Sequence, residues 1–573
     1  MSARLASRAD DLDAGGGAID GSLNSMAHKS SSAFAAIVMA ALAFFAASAP
    51  GWSQTPGASA AGRRAAPPEP APAGMAAVVR IGSGEIQGIV FDDVAEYRGI
   101  PYAAPPVGDL RWRAPQAVQP WKGVRGAAEF GKSCTAPPAG SEDCLYLNVY
   151  KPADAAPGAK LPVMFWIHGG GFTHGSGSIY DGSSFVKKGV IYVSINYRMG
   201  RAGWFAHPAI TKNAPKGEAV DNFGLQDQIA ALKWVQANIG AFGGDRNNVT
   251  VFGESAGGVS DLYLVSVEAA RGLFQKMISE SGFGLTPAFD PAAAEQVGAD
   301  YFAARGITGE SAATLKEMRK APWADLQGGT KVGETQPILD GKLIKRDTGA
   351  AFSEGREMKI PILLGGNSNE ASLWPTADPA ARLTKLGPLP PEYNPDGSYD
   401  AKRINNMMVT DYFMGEQDRE MARWHTRNGA PTYRYYFSYL SPDRRTPESF
   451  GVPHGGEIGY VFGRNTANPD DAAMTAAVQA YWVAFAKTGD PGNAGGPAWP
   501  KYDLAHEPVM DFSSDGPVVR DHLFDARYDW VRDRREKIGL TADPGIPPLM
   551  NSIPAHEGAR QWVIPDAGGA SRH

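Results

Sequence analysis

Gly253-Glu254-Ser255-Ala256-Gly257 decides the reading of this chain. The run before it, Asn247-Asn248-Val249-Thr250-Val251-Phe252, is short, apolar and β-branched, and reads as a buried strand. The run after it, Gly258-Val259-Ser260-Asp261-Leu262-Tyr263-Leu264, continues as a helix. Strand, G-x-S-x-G and helix together form a nucleophile elbow. Its turn is too tight for side chains beside the serine, so glycine stands on both sides. The turn lifts Ser255 to the top of a sheet with a helix N-terminus behind it. The pentapeptide alone is a weak signal, because Gly and Ser are common in ordinary turns. Its surroundings give it weight.

Upstream, Leu161-Pro162-Val163-Met164-Phe165-Trp166-Ile167 reads as a second buried strand, followed by His168-Gly169-Gly170-Gly171-Phe172. Acyl transfer passes through a tetrahedral intermediate with a negatively charged oxygen. Fixed backbone N–H groups stabilise it, each donor contributing roughly 3–4 kcal/mol. The glycines let the backbone approach that oxygen with no Cβ in the way. The N–H groups of Gly170, Gly171 and Ala256 are the expected donors.

With these motifs in place, the chain resembles the type B carboxylesterases, the cholinesterase-like branch of the α/β-hydrolases. The resemblance runs from about Val79 to about Trp530. It includes Tyr97-Arg98-Gly99-Ile100-Pro101-Tyr102-Ala103 and Ser141-Glu142-Asp143-Cys144-Leu145-Tyr146-Leu147-Asn148. Asn196-Tyr197-Arg198, Gly224-Leu225-Gln226-Asp227-Gln228, Asn238-Ile239 and Phe242-Gly243-Gly244-Asp245 follow in the family's order. It implies an α/β-hydrolase fold: a central, mostly parallel, twisted sheet flanked by helices, with large loop and helical insertions around the active site.

A serine needs an adjacent base, and the base needs an orienting acid. In α/β-hydrolases the order along the chain is serine, acid, histidine. Of the histidines after Ser255, His454 stands in Gly451-Val452-Pro453-His454-Gly455-Gly456-Glu457, which is similar to the family's catalytic-histidine loop. His425, His506, His522, His556 and His573 lack that context. Ile362-Leu363-Leu364-Gly365-Gly366 reads as a strand, and Glu370, just beyond it, falls where the resemblance places the acid. Ala371 stands where the family usually has glycine. The resemblance also marks Glu254 and Ser281 as groups around the site, with Glu280 replacing the family's usual glutamine, and Glu457 lies three residues after the base. For Glu254, Ser281 and Glu457, plain structural hydrogen bonding competes with a catalytic role. Phe172, Trp204, Phe205 and Trp374 are candidates for the pocket wall, with a core role as the alternative for each.

Length alone would suggest about three domains. A site that draws on residues 168 to 454 requires one, here 76–540. The hydrophobic content of 43% is ample for a core. A net charge of −6 without basic blocks gives no support to nucleic-acid binding. At the N-terminus, His28-Lys29 precedes an apolar stretch from Ala33 to Ala47, and Ala47-Ser48-Ala49 is an A-x-A-like cleavage site. The stretch falls short of the about 20 residues of a comfortable membrane span. Residues 26–49 therefore read as a signal peptide and 1–25 as an upstream extension, with an uncleaved anchor as the competing reading. Residues 50–75 form an Ala/Pro-rich linker and 541–573 a Pro-rich tail. Export to periplasm or medium is expected, with no stable membrane span in the mature chain.

Export makes a disulfide between the only cysteines, Cys134 and Cys144, plausible against two free thiols. The resemblance implies such a bridge. Residues 135–143 are too few for the aromatic-bearing loop of true cholinesterases, which argues against choline esters. No metal-ligand spacing and no phosphate loop occurs, and no cofactor is implied. The expected partners are a small-molecule ester and water. The default substrate is an aryl or short alkyl ester. Bulkier lipids, aromatic diesters, carbamates, mycotoxin esters or polyesters are alternatives, because insertions shape the pocket independently of the triad. A non-catalytic cholinesterase-like binding protein, and an acyltransferase or lactonase, are the readings from other classes.

Overall fold

The computed structural model describes residues 74–540 except 286, 328–334, 375 and 377. The proposed extension, signal peptide and tail lie outside the described residues. So does the linker, apart from Gly74 and Met75, which open the first strand.

The strands are β1 Gly74–Ile81, β2 Gly84–Phe91, β3 Val94–Pro101, β4 Val124–Gly126, β5 Tyr146–Pro152, β6 Leu161–Ile167 and β7 Ile191–Ile195. They continue with β8 Gly244–Glu254, β9 Lys276–Glu280, β10 Ile362–Asn367, β11 Thr432–Phe437, β12 Val509–Ser513 and β13 Gly516–Arg520. They form one sheet in the order β1-β2-β3-β5-β7-β6-β8-β9-β10-β11-β12-β13, with β4 on β2. From β7 to β12 every pairing is parallel, while β1, β2, β3, β5 and β13 pair antiparallel along the path.

The parallel strands are covered on both faces, which is why they read as unbroken apolar runs. Side chains alternate between the faces. Val163, Phe165 and Ile167 of β6 join Val249 and Val251 of β8 in a core completed by Leu225 and Leu232 of the helix Phe223–Asn238 and Leu262 of the helix Ala256–Ser266. Met164, Trp166, Phe252, Ile278 and Leu363 face the other way, against Val478, Trp482 and Phe485 of the helix Pro469–Thr488. The elbow thus leaves a strand anchored on both sides. Between β10 and β11 the chain inserts helices at Pro379–Leu386, Ala401–Thr410 and Glu416–Arg427, the last two joined by a π-helical turn at Asp411–Gly415. Cys134 and Cys144 are joined by a disulfide, and both are fully buried. No helix among the described residues is long and apolar enough to cross a membrane.

Candidate active site

Ser255 sits between β8 and the helix Ala256–Ser266 with φ 57° and ψ −122°, a conformation that is strained for a residue with a Cβ. Its neighbours enforce the strain. A Cβ on Gly257 would overlap the Ile167 carbonyl oxygen, so the helix can start this close to β6 only with glycine there. The Ser255 N–H donates to the Glu280 carbonyl at 2.9 Å, tying the elbow to the end of β9.

The glycine loop lies opposite. Gly170, Gly171 and Phe172 have φ of 100°, 59° and 60°. The Gly170 carbonyl accepts from the N–H groups of Thr173 and His174 at 3.0 and 3.2 Å, closing the turn. Among the described residues, the N–H groups of Gly170 and Gly171 donate no hydrogen bond. Ala256, as the first helical residue, brings an N–H without an intrahelical acceptor. His168 braces this loop. Its ring is fully buried, its Nδ1 lies 2.8 Å from the Gly169 carbonyl, and it stacks on Tyr197 at 4.5 Å. Burial pulls its pKa down to about 4, so the ring is neutral.

Glu370 and His454 meet 84 residues apart in the chain. Glu370 follows β10 and is fully buried. Its Oε1 accepts from Ser281 Oγ at 2.6 Å and the Asn367 N–H at 2.7 Å. Its Oε2 faces His454 Nδ1 at 2.5 Å. Opposite a carboxylate, Nδ1 carries a proton, so Nε2 is the nitrogen that can gain or lose one. The His454 loop is pinned from below: its own N–H donates to Ser372 Oγ at 3.0 Å, and Val452 N–H to Ser368 Oγ at 2.8 Å.

Nε2 lies 3.0 Å from Glu254 Oε1, near enough for an ion pair. The approach is off the hydrogen-bonding direction, and neither atom has an aligned partner. The distance, rather than the angle, governs the charge interaction, so we count it as electrostatic contact. Burial pulls His454 down, but Glu254 and Glu370 outweigh burial and raise it to about 9. Glu254 is pushed up to about 7 by burial and Glu370, against the pull of His454. Glu457 is buried with Asn367 Nδ2 on its Oε2, and burial, Glu254 and Glu370 push it up to about 8.

The four aromatic candidates are placed differently. Phe172 and Trp204 pack on each other at 4.5 Å, Trp204 being fully buried behind the glycine loop. Phe205 lies in a separate core cluster, stacked on Trp112 at 5.5 Å and edge-on to Phe302. Trp374 is half-buried and stacks on Phe413 at 3.7 Å. Two rings escaped the sequence reading. Phe283 lies over the His454 ring at 6.1 Å and meets Trp374 at 5.4 Å. Its place two residues after Ser281 was the available signal. Phe413 comes from the π-helical turn and carries no local signal. Among the described residues, no group of three or more His, Cys, Asp or Glu is arranged to hold a metal ion.

A parallel sheet with a strained serine between strand and helix, an acid after a later strand and a histidine after that is an α/β-hydrolase. The sequence profile of the Carboxylesterase family matches residues 75–385 and 391–531. The chain is 34% identical over 476 residues to the fumonisin B1 esterase of Sphingopyxis macrogoltabida, covering 75% of this chain and 85% of that protein. It is 34% identical over 496 residues to the para-nitrobenzyl esterase of Bacillus subtilis, covering 79% and 97%. A solved carboxylesterase of Geobacillus stearothermophilus superposes with a TM-score of 0.69 at 32% identity, covering 79% of this chain and 99% of that one. The chain belongs to the carboxylesterase family and is a carboxylic ester hydrolase of type B.

Proposed function

We propose that this protein is an exported serine carboxylesterase that works through an acyl-enzyme on Ser255. Ser255 Oγ attacks the ester carbonyl carbon while His454 Nε2 takes its proton. Glu370 holds the ring in the Nδ1–H tautomer and balances the imidazolium. The N–H groups of Gly170, Gly171 and Ala256 carry the developing oxyanion. The ester C–O bond breaks as the imidazolium gives its proton to the departing alkoxide, and water repeats the cycle on the acyl-enzyme. Ser281 fixes Glu370, while Glu254 and Glu457 set the field around the base. The observation that carries this reading is the 2.5 Å contact of Glu370 with His454 Nδ1, in a chain whose Ser255 is held at φ 57° in the strand-to-helix turn.

Phe172, Trp374 and Phe283 wall the site, with Trp204 behind Phe172, while Phe205 belongs to a separate core cluster. Such walls suit an uncharged ester with a flat apolar group, an aryl or short alkyl ester first, with a bulkier ester as the alternative. The N-terminal apolar stretch and the disulfide support export. The test is turnover of p-nitrophenyl esters from acetate to palmitate by the full chain beside Ser255→Ala. Activity confined to the wild type is expected. A folded protein that turns over none of these esters and resists serine-directed phosphonates would refute the proposal.

A further inference from the structure

Beneath the elbow lies a carboxyl that the reaction does not use. Asp261 is on the helix Ala256–Ser266, four residues after Gly257 and three after Gly258, and so on the face those glycines turn to the sheet. On that face a Cβ on Gly257 would meet Ile167, and one on Gly258 would lie 2.8 Å from the Glu280 carbonyl oxygen. Asp261 is fully buried, and neither of its oxygens has a hydrogen-bond partner. Glu280, the last residue of β9, is fully buried too. Its Oε1 accepts from Trp482 Nε1 at 2.7 Å, and its Oε2 has no partner.

Among the described residues, the surroundings offer no counter-charge. Asp261 faces Glu280 and Tyr197. Glu280 faces Asp261 on the elbow helix, Glu254 at the end of β8, Glu457 beside the base, and the phenols of Tyr180 and Tyr435. Arg464 acts on Tyr180. Neither acid forms an ion pair with a described Lys, Arg or His. An ionised carboxylate in this position would be both desolvated and repelled, so the uncharged form wins. Both acids belong to elements that hold Ser255: the Glu280 carbonyl accepts its N–H, and the Asp261 helix begins at Ala256.

We propose that Asp261 and Glu280 are positioning residues for the nucleophile, two uncharged carboxylic acids that let the elbow helix close onto the end of β9. Burial first, then Glu280 for Asp261 and Glu457 and Glu254 for Glu280, holds both well above the usual carboxylate range. Ionising either acid introduces an unpaired interior charge, which the helix relieves by moving off β9. Ser255 then loses its aim. The activity readout rests on the serine-esterase reading, whereas the charge state of the pair does not.

The test compares the full-length wild type with the isosteric, non-ionising Asp261→Asn/Glu280→Gln double variant. The wild type should lose kcat reversibly at alkaline pH, by about tenfold per pH unit for one inactivating ionisation, with KM changing less. The double variant, normalised to its own maximum, should stay flat over the same range. Infrared difference spectra at neutral pH should show protonated-carboxyl carbonyl bands in the wild type that the double variant lacks. Coincident normalised profiles, or no such bands, would overturn the proposal. The infrared comparison needs no turnover, so it decides the matter even if the esterase reading fails. It can be repeated on Asp261→Asn alone if the double variant does not fold.

Discussion

The contact between Glu254 and the base gives a quantitative prediction. Unit charges 3.0 Å apart interact by about 5.5 kcal/mol at an effective dielectric of about 20. At about 1.4 kcal/mol per pH unit, that corresponds to a ceiling of about four units on the imidazolium pKa. Glu254 is itself raised to about 7, so near neutrality it is only partly ionised and the effective share is smaller. Glu254→Gln should therefore lower the apparent pKa of the base by about one to two units. The sign follows from the chemistry. The imidazolium form is inactive, and Glu254 favours it, so removing the anion moves the acid limb of kcat/KM to lower pH. A weaker base also takes the serine proton less readily, and the plateau should fall by roughly three- to tenfold. The assay is kcat/KM of a p-nitrophenyl ester against pH for wild type and variant, with thermal melts to confirm folding. An acid limb that stays in place would show that Nε2 does not sense Glu254, and the assignment of the base's environment would be wrong.

Ser255→Ala, His454→Ala and the double variant should all fall to a similar residual rate, because the groups act as a unit; strictly additive losses in kcat would count against the triad. Replacing both Cys134 and Cys144 by Ala should lower unfolding stability by about 2–3 kcal/mol in the chain-entropy model, read by urea titration, and unchanged stability would remove the bridge from the account. Asp221 has φ 78° and a buried unpaired oxygen, and burial together with Asp340 and Glu295 pushes it up to about 8. A raised carboxyl pKa means the native state holds a proton that the unfolded chain releases, so stability is lost as pH rises from about 4 through about 8. Asn tolerates the same backbone, so Asp221→Asn should raise Tm at pH 8.5 and leave it nearly unchanged at pH 5; an equal shift at both would exclude a charge effect.

The legible parts of the fold were those with a local signature. β6, β8 and β10 stand out as apolar runs because a parallel strand covered on both faces has no polar side to show. The elbow and the glycine loop are legible because their backbones demand glycine at fixed positions, as Gly257 against Ile167 illustrates. Phe413 was not legible: it reaches Trp374 from a π-helical turn in an inserted segment, and no spacing announces where that turn falls. Phe205 follows Trp204 directly, yet the two rings enter different clusters, a division that depends on helices much further along the chain.

The same limit applies to charge. Glu254, Glu280, Glu457 and Asp261 are unremarkable as residues in a sequence with a modest net charge. Folding brings Glu254 and Glu457 to one histidine, sets Glu280 near both and Asp261 near Glu280, and burial then decides their protonation. His454 is held up by two carboxyls that touch it, while the acids further from it are driven toward neutrality. An imidazolium forming in the transition state therefore meets anions where they help it. The remaining acids stay uncharged, so they do not raise the imidazole's proton affinity further and lock Nε2 in its inactive protonated form. On this argument the number of ionised carboxyls near His454, more than the number present, sets the working range of the enzyme.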